Sequence, residues 1–200
     1  MKGLSLLLGF AFLILTLVTA FPLSAGEPTE QIRETTDRII ALLTDESLDG
    51  DSKEEERRKL IRKAVDERFD WEEMARRSLA IHWAQRTDEE RREFVSLFSD
   101  LLERTYMDKV DDYSGERVFY EKETVDGDYG VVDVRIITNT DTEIPAEYRV
   151  RKKENGWLIY DISINGVSLV NNYRTQFNSI ILRSSYQNLV KKLKAKLQQD

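Results

Sequence analysis

The hydrophobic period of this chain changes once and later changes back, and that order bounds the fold. From Thr29 to Tyr106 apolar residues recur at spacings near a helical turn; from Val118 to Ile164 they alternate; beyond Asn171 the helical spacing returns. In the first stretch Ile32, Thr36, Ile39, Ile40 and Leu43 form one stripe, and Leu48-Asp49-Gly50-Asp51 breaks it. Ser52-Lys53-Glu54-Glu55 resembles a capping box ahead of Leu60, Ile61, Ala64 and Val65. Asp70 stands where it caps a short helix running through Met74 to Leu79. Thr87-Asp88-Glu89-Glu90 is a second capping box. It opens a long helix with Phe94, Val95, Phe98, Leu101, Leu102, Thr105 and Tyr106 on its apolar face.

The alternating part reads as four strands, over 118–125, 129–138, 144–151 and 157–164. Asp126-Gly127-Asp128, Asn139-Thr140-Asp141 and Asn155-Gly156 supply the turns between them. Val132, Val134 and Ile136 share one face, with Asp133 and Arg135 on the other. Ile144, Ala146, Tyr148 and Val150 oppose Glu147, Arg149 and Arg151 in the same way. Turns this short predict an antiparallel meander. Asn171 or Asn172 is the expected cap of a helix carrying Tyr173, Phe177, Ile180 and Ile181; Ser184 or Ser185 starts the last, with Leu189, Val190, Leu193 and Leu197. No linker or repeat interrupts the pattern. The expectation is one α+β domain, with helices on one face of a four-stranded antiparallel sheet.

The N-terminus addresses the compartment. Lys2 precedes an apolar run from Leu4 to Val18, followed by small residues, Pro22 and a polar chain from Glu27. This is the layout of a cleaved export signal over residues 1–26, with cleavage expected after Ala25 or Gly26 and a single domain over 27–200. An uncleaved signal anchor is the alternative, although about 15 apolar residues fall short of the roughly 20 that span a bilayer. The chain has no cysteine, so it offers neither an acylated lipoprotein terminus nor a disulfide framework. The formal net charge of -7 argues against nucleic acid as a partner and against tight adsorption to anionic lipid.

Groups for catalysis are scarce. His82 is the one histidine, and a lone His without Cys makes neither a zinc site nor a nucleophilic triad. No phosphate-binding glycine loop occurs, and no cofactor or metal is expected. The acids cluster at turns and on charged helical faces. Asp133 and Asp161 are the strand acids that a small α+β enzyme for an apolar substrate would have to use.

Several blocks resemble a known family. They are Phe69-Asp70-Trp71-Glu72-Glu73-Met74-Ala75-Arg76-Arg77-Ser78-Leu79, His82-Trp83, Thr87 to Phe94, Leu101 to Tyr106, and Pro145 to Val150. The most specific runs from Trp157-Leu158-Ile159-Tyr160-Asp161 to Gly166-Val167-Ser168-Leu169-Val170-Asn171-Asn172-Tyr173-Arg174-Thr175-Gln176-Phe177. In order and content they are similar to the MlaC, or toluene-tolerance, family of periplasmic phospholipid-binding proteins. The resemblance implies a deep apolar pocket between sheet and helices. It also implies a shuttle that exchanges phospholipid between an outer-membrane lipoprotein complex and an inner-membrane ABC transporter carrying an MCE-domain protein. On that reading the inward sheet residues Val132, Val134, Ile136, Tyr148, Val150 and Ile162 line the pocket. Val167 and Leu169 close one side, and Phe98, Tyr106, Phe177 and Ile181 form a lid. Arg104, Arg149 and Arg174 either orient helices by ordinary pairing or lie near a lipid headgroup. A periplasmic chaperone for apolar peptides is a further alternative.

Overall fold

The structure, a computed structural model, describes residues 26–50 and 52–198; the expected export signal up to Ala25 lies outside the described residues. Four helices come first: α1 (Glu27–Leu43), α2 (Glu54–Asp66), α3 (Trp71–Leu79) and α4 (Asp88–Asp111). Strands β1 (Arg117–Asp126), β2 (Tyr129–Ile137), β3 (Glu143–Lys153), β4 (Gly156–Ile164) and the two-residue β5 (Val167–Ser168) follow, then α5 (Leu169–Arg183) and α6 (Tyr186–Leu197). The sheet is antiparallel in the order β1-β2-β3-β4-β5. The fifth strand is an addition to the four expected. It is short because the chain turns from it directly into α5.

Local chemistry explains the helix starts. Glu90 N–H donates to the Thr87 hydroxyl at 3.2 Å and Thr87 N–H donates to Glu90 at 3.0 Å, both arms of the capping box. Asp70 caps α3 by accepting from Glu73 N–H at 3.1 Å. The box expected at Ser52 is absent: Lys53 is the N-cap of α2, without a side-chain cap, and its N–H already serves a turn to the Gly50 carbonyl at 2.9 Å. The cap of α5 is Ser168, which accepts from Asn171 N–H at 3.0 Å; Asn171 and Asn172 lie inside the first turn. At α1 the cap residue is Gly26, and the missing acceptor comes from the sheet. Glu123 of β1 accepts from Thr29 N–H at 2.9 Å and from its hydroxyl at 2.6 Å. A Cβ at position 26 would lie 1.6 Å from a Glu123 carboxylate oxygen, so glycine permits the approach.

The sheet register aligns Val132, Tyr148 and Ile162 across β2, β3 and β4. A bulge in β4 then shifts the pairing, so that Arg149 faces Asp161 while Val150 faces Ile159. Tyr160 is the extra residue. The bulge lets Ile159 and Ile162 share the inner face despite odd spacing. It also turns Tyr160 away from the inner face and into the helical core, where the Arg77 guanidinium lies 4.2 Å from its ring centre.

Two apolar cores result. Ile32 of α1 packs on Val132, Val134, Ala146, Val150, Trp157 and Ile159 of the inner sheet face. A separate helical core gathers Met74, Leu79, Phe94, Phe98, Tyr173, Phe177 and Leu189 with others from α3 to α6. Each fully buried large side chain contributes roughly 1.5–3 kcal/mol. The helices therefore do not all cover one face. The chain at Phe69 pairs with the edge of β4, where Ile159 N–H reaches the Arg68 carbonyl at 2.9 Å and Asp70 N–H reaches the Ile159 carbonyl at 2.8 Å. This edge pairing sets the helical core beside the sheet. On the outer side, Arg151 bridges buried Asp70 and Glu73 and fastens α3 to β3.

Candidate functional site

The two cores do not close completely on each other. Between them lies a cavity of about 450 Å³, within the size range of small-molecule sites. Its wall comes from α1 (Ile32, Thr35, Thr36, Ile39), α2 (Ile61, Arg62, Val65), the loop and start of α3 (Arg68, Phe69, Trp71) and the second half of α4 (Leu102, Glu103, Tyr106, Met107, Val110). The sheet contributes Tyr148, Ile159, Ile162 and Ile164, and the β5–α5 corner adds Val167, Leu169 and Asn172. Val167, at 62% exposed, leads from the cavity to solvent.

Most polar groups on this wall are already engaged. Thr35 and Thr36 donate to the Gln31 and Ile32 carbonyls, each at 3.0 Å. Arg62 binds Asp66 at 2.9 Å, the Ser99 hydroxyl at 3.1 Å, and Glu103. Farther along α2, Arg57 pairs with Asp111 at 3.3 Å and Arg58 with Asp108 at 2.9 Å. The α2 side of the cavity is thus strapped to α4 by ion pairs.

Arg68 and Tyr148 stand out. Arg68 donates only to neutral acceptors: Gln31 Oε1 at 2.7 Å, the Trp157 carbonyl at 2.9 Å and the Thr35 hydroxyl at 3.0 Å. Burial pulls its pKa below the ordinary arginine value. Among the described residues no carboxylate forms an ion pair with it; Glu34 and Glu67 act on it only through space, and the guanidinium borders the cavity. Tyr148 is the second. Its ring keeps accessible surface because one side faces the cavity, but protein surrounds it, and burial pushes its phenol up to about 12. The hydroxyl has no protein hydrogen bond among the described residues.

Of the residues expected to line a pocket, the structure brings Tyr106, Tyr148, Ile162, Val167 and Leu169 to the cavity wall. It places the others elsewhere. Val132, Val134 and Val150 are at most 1% exposed beneath α1, and Ile136 packs against the same cluster. Phe98 and Phe177 pack edge to face at 5.6 Å in the helical core, with Ile181 against them. The reason is the position of α1, which crosses the inner face over β1, β2 and the first half of β4 and leaves that face open toward Tyr148, Ile162 and Ile164. Missed by the sequence were the contributions of α1, α2, Phe69, Trp71 and the Met107–Val110 turn. The Ile32-Thr36-Ile39 stripe carried part of that signal, but periodicity does not say which stripe faces a void.

The three arginines weighed as headgroup ligands lie off the cavity. Arg174 donates to the Arg77 carbonyl at 2.9 Å and ties α5 to α3; Arg104 donates to the Leu197 carbonyl at 3.0 Å and ties α4 to α6; Arg149 pairs with Glu147 at 2.7 Å. Asp161 is occupied by the Ser168 hydroxyl at 2.6 Å and by Val170 N–H at 3.0 Å, and does not line the cavity. His82 meets Asn178 at 2.9 Å. Among the described residues no cluster of metal-ligating side chains occurs, and no helix is long and apolar enough to cross a membrane.

Fold and site together define a class: an α+β domain built around an apolar cavity between a helical core and an antiparallel sheet. Within that class the family model described as MlaC protein matches residues 33–195, and the chain belongs to the MlaC family. It is similar to the intermembrane phospholipid transport system binding protein MlaC of Haemophilus influenzae, at 23% identity over 120 residues. That match covers 58% of this chain and 56% of the relative, so the chain spans little more than half of that protein's length. It is also similar to the solved phospholipid-binding protein of Ralstonia solanacearum in complex with a phospholipid. There the TM-score is 0.76 at 26% identity, covering 87% of this chain and 100% of the other.

Proposed function

We propose that the chain is a periplasmic phospholipid carrier. It holds acyl chains in the cavity and shuttles lipid between an outer-membrane lipoprotein complex and an inner-membrane ABC transporter with an MCE-domain protein, maintaining outer-membrane lipid asymmetry. The observation that carries this reading is the cavity itself: aliphatic and aromatic walls, with a cation on the wall, Arg68, that has no ion-pair partner among the described residues. An acyl chain satisfies the walls, and a phosphate satisfies the guanidinium. The phospholipid in the Ralstonia solanacearum structure supports the same cargo.

The energetics explain why such a carrier is useful. Each buried methylene contributes about 0.8 kcal/mol, so two chains of about 14 cost on the order of 20 kcal/mol to expose to water. Free diffusion between membranes is then negligible. The chain carries no nucleotide-binding motif, so direction is left to the partners. No group on the cavity wall performs chemistry in this scheme; the protein binds and releases. Export fits the α1 start. Cleavage after Ala25 keeps Gly26, whose carbonyl accepts from Glu30 N–H at 3.0 Å in the first turn of α1, and N-terminal sequencing of the exported protein is expected to begin at Gly26 or Glu27.

Solvent extraction of the purified protein followed by mass spectrometry tests the cargo. The expected result is phospholipid at up to one molecule per chain. Protein that carries no lipid and takes none from vesicles refutes the reading, and copurified peptide would point to the chaperone alternative.

A further inference from the structure

The net charge of the chain conceals a segregation. Residues 27–161 hold 23 lysines and arginines against 36 aspartates and glutamates, whereas Ile162 to Gln199 hold six lysines and arginines and no acid. The second set is α5 and α6. The apolar stripe of α6 (Tyr186, Leu189, Val190 and Leu193) is buried against the helical core, so the helix lies flat with Lys191 and Lys192 on its outward arc and Lys196 at the edge.

Among the described residues most of these cations are unpaired, in a protein with acids to spare. Of the six, Lys194 alone meets a carboxylate, Glu93 at 2.5 Å. Arg174 uses its Nε on a backbone carbonyl. Arg183, Lys191, Lys192 and Lys196 are exposed and have no carboxylate within ion-pair distance among the described residues. Two exposed apolar side chains stand toward the start of α6. Leu182 is 70% exposed where α5 turns into α6, and Ile81 is 74% exposed. The neighbour of Ile81, His82, bonds Asn178, one turn before Leu182.

We infer that the α5–α6 face docks on an anionic phospholipid surface. Lysines on flexible stems suit a diffuse array of phosphates, whereas carboxylates of a protein partner favour the rigid arginine fork. An exposed leucine next to Arg183, on the same helical pair as the lysines, matches the boundary between headgroups and acyl chains. Repulsion turns the acidic remainder away and orients the molecule. The Arg104 bond to the Leu197 carbonyl sets the end of α6 beside the half of α4 that walls the cavity, so docking holds that wall near the membrane. A whole-chain net charge opposes adsorption on average; the segregated face reverses that locally. The inference rests on charge placement and does not depend on the cargo.

The test is flotation of the purified protein with vesicles of phosphatidylcholine and phosphatidylglycerol at about 3:1, against phosphatidylcholine alone. Melting temperature and copurified lipid are measured in parallel. Each cation near such a surface is worth roughly five-fold in affinity, so Lys191→Gln/Lys192→Gln/Lys196→Gln should bind the anionic vesicles roughly 100-fold more weakly at unchanged melting temperature and lipid content. The unaltered protein should bind only the anionic vesicles, and should release them at about 0.5 M salt, where screening acts within a few ångströms. Absence of binding to anionic vesicles at low salt, as an acidic protein partner would predict, overturns the inference. So does binding that neither salt nor the triple variant weakens. Loss of copurified lipid alone would count against the carrier reading and leave vesicle docking standing.

Discussion

Replacing Ile162 by Trp separates cavity wall from core. Ile162 sits opposite Tyr148 on the inner sheet face and borders the 450 Å³ cavity, so the larger ring has space to enter. An indole placed there displaces roughly three chain methylenes at about 0.8 kcal/mol each, or about 2.4 kcal/mol of binding. That is roughly a 50-fold loss of phospholipid affinity. The matched control is Val150→Trp. Val150 is 0% exposed, and a Cβ built on Gly130 would already stand 3.0 Å from its methyl, so no room exists. Overpacking there costs about 1–3 kcal/mol, which lowers the melting temperature by roughly 3–10 °C for a domain of this size. The assay is melting temperature together with phospholipid content by mass spectrometry. The expected outcome is a cool-melting Val150→Trp and a normally melting, lipid-poor Ile162→Trp. If Ile162→Trp melts as low as Val150→Trp and still carries its full complement of lipid, the cavity is not the binding site.

Arg62→Ala removes a strap between α2 and α4. The partly exposed pairs make a loss of about 1–2 kcal/mol the expectation, with faster exchange of a fluorescent phospholipid between protein and vesicles; an unchanged exchange rate would show that α2 does not gate the cavity. Tyr148→Phe deletes a hydroxyl without a protein partner, so thermal stability should stay within about 1 kcal/mol, and a larger drop in calorimetry would reveal a bond not accounted for. Arg68→Ala should weaken phospholipid more than a neutral diacylglycerol in a competition assay; equal weakening of both would assign Arg68 to packing alone. Glu73 titrates below its ordinary value of 4.5: burial pushes it up, but hydrogen bonds from Arg76 and Arg77, with the charge of Arg151, hold it down. A depressed folded pKa contributes stability that is full above 4.5 and is lost as pH falls through the folded value. Glu73→Gln should therefore flatten the fall of the melting temperature as pH drops below 4.5, and an unaltered acid limb would discount the cluster.

Much of the architecture was written locally. The period change near Tyr113, the Thr87 capping box, the Asp70 cap and the three hairpin turns each depend on neighbours within a few residues, so the elements followed from spacing and turn chemistry alone. Tertiary structure decided what spacing cannot carry. Ser168 displaced Asn171 as a cap because β5 pairs with β4, and Glu123 capped α1 from 94 residues away. The apolar face of a strand looks the same under a helix as beside a void. Val134 and Ile162 therefore read alike in sequence, although α1 buries one and the other borders the cavity. The sequence by itself determined an α+β chain with an apolar interior, because side-chain periodicity is a property of the backbone. Where that interior stays open, and which arginine faces it, was decided by how α1, α4 and the β4 edge meet, because a cavity is the volume that distant segments fail to fill.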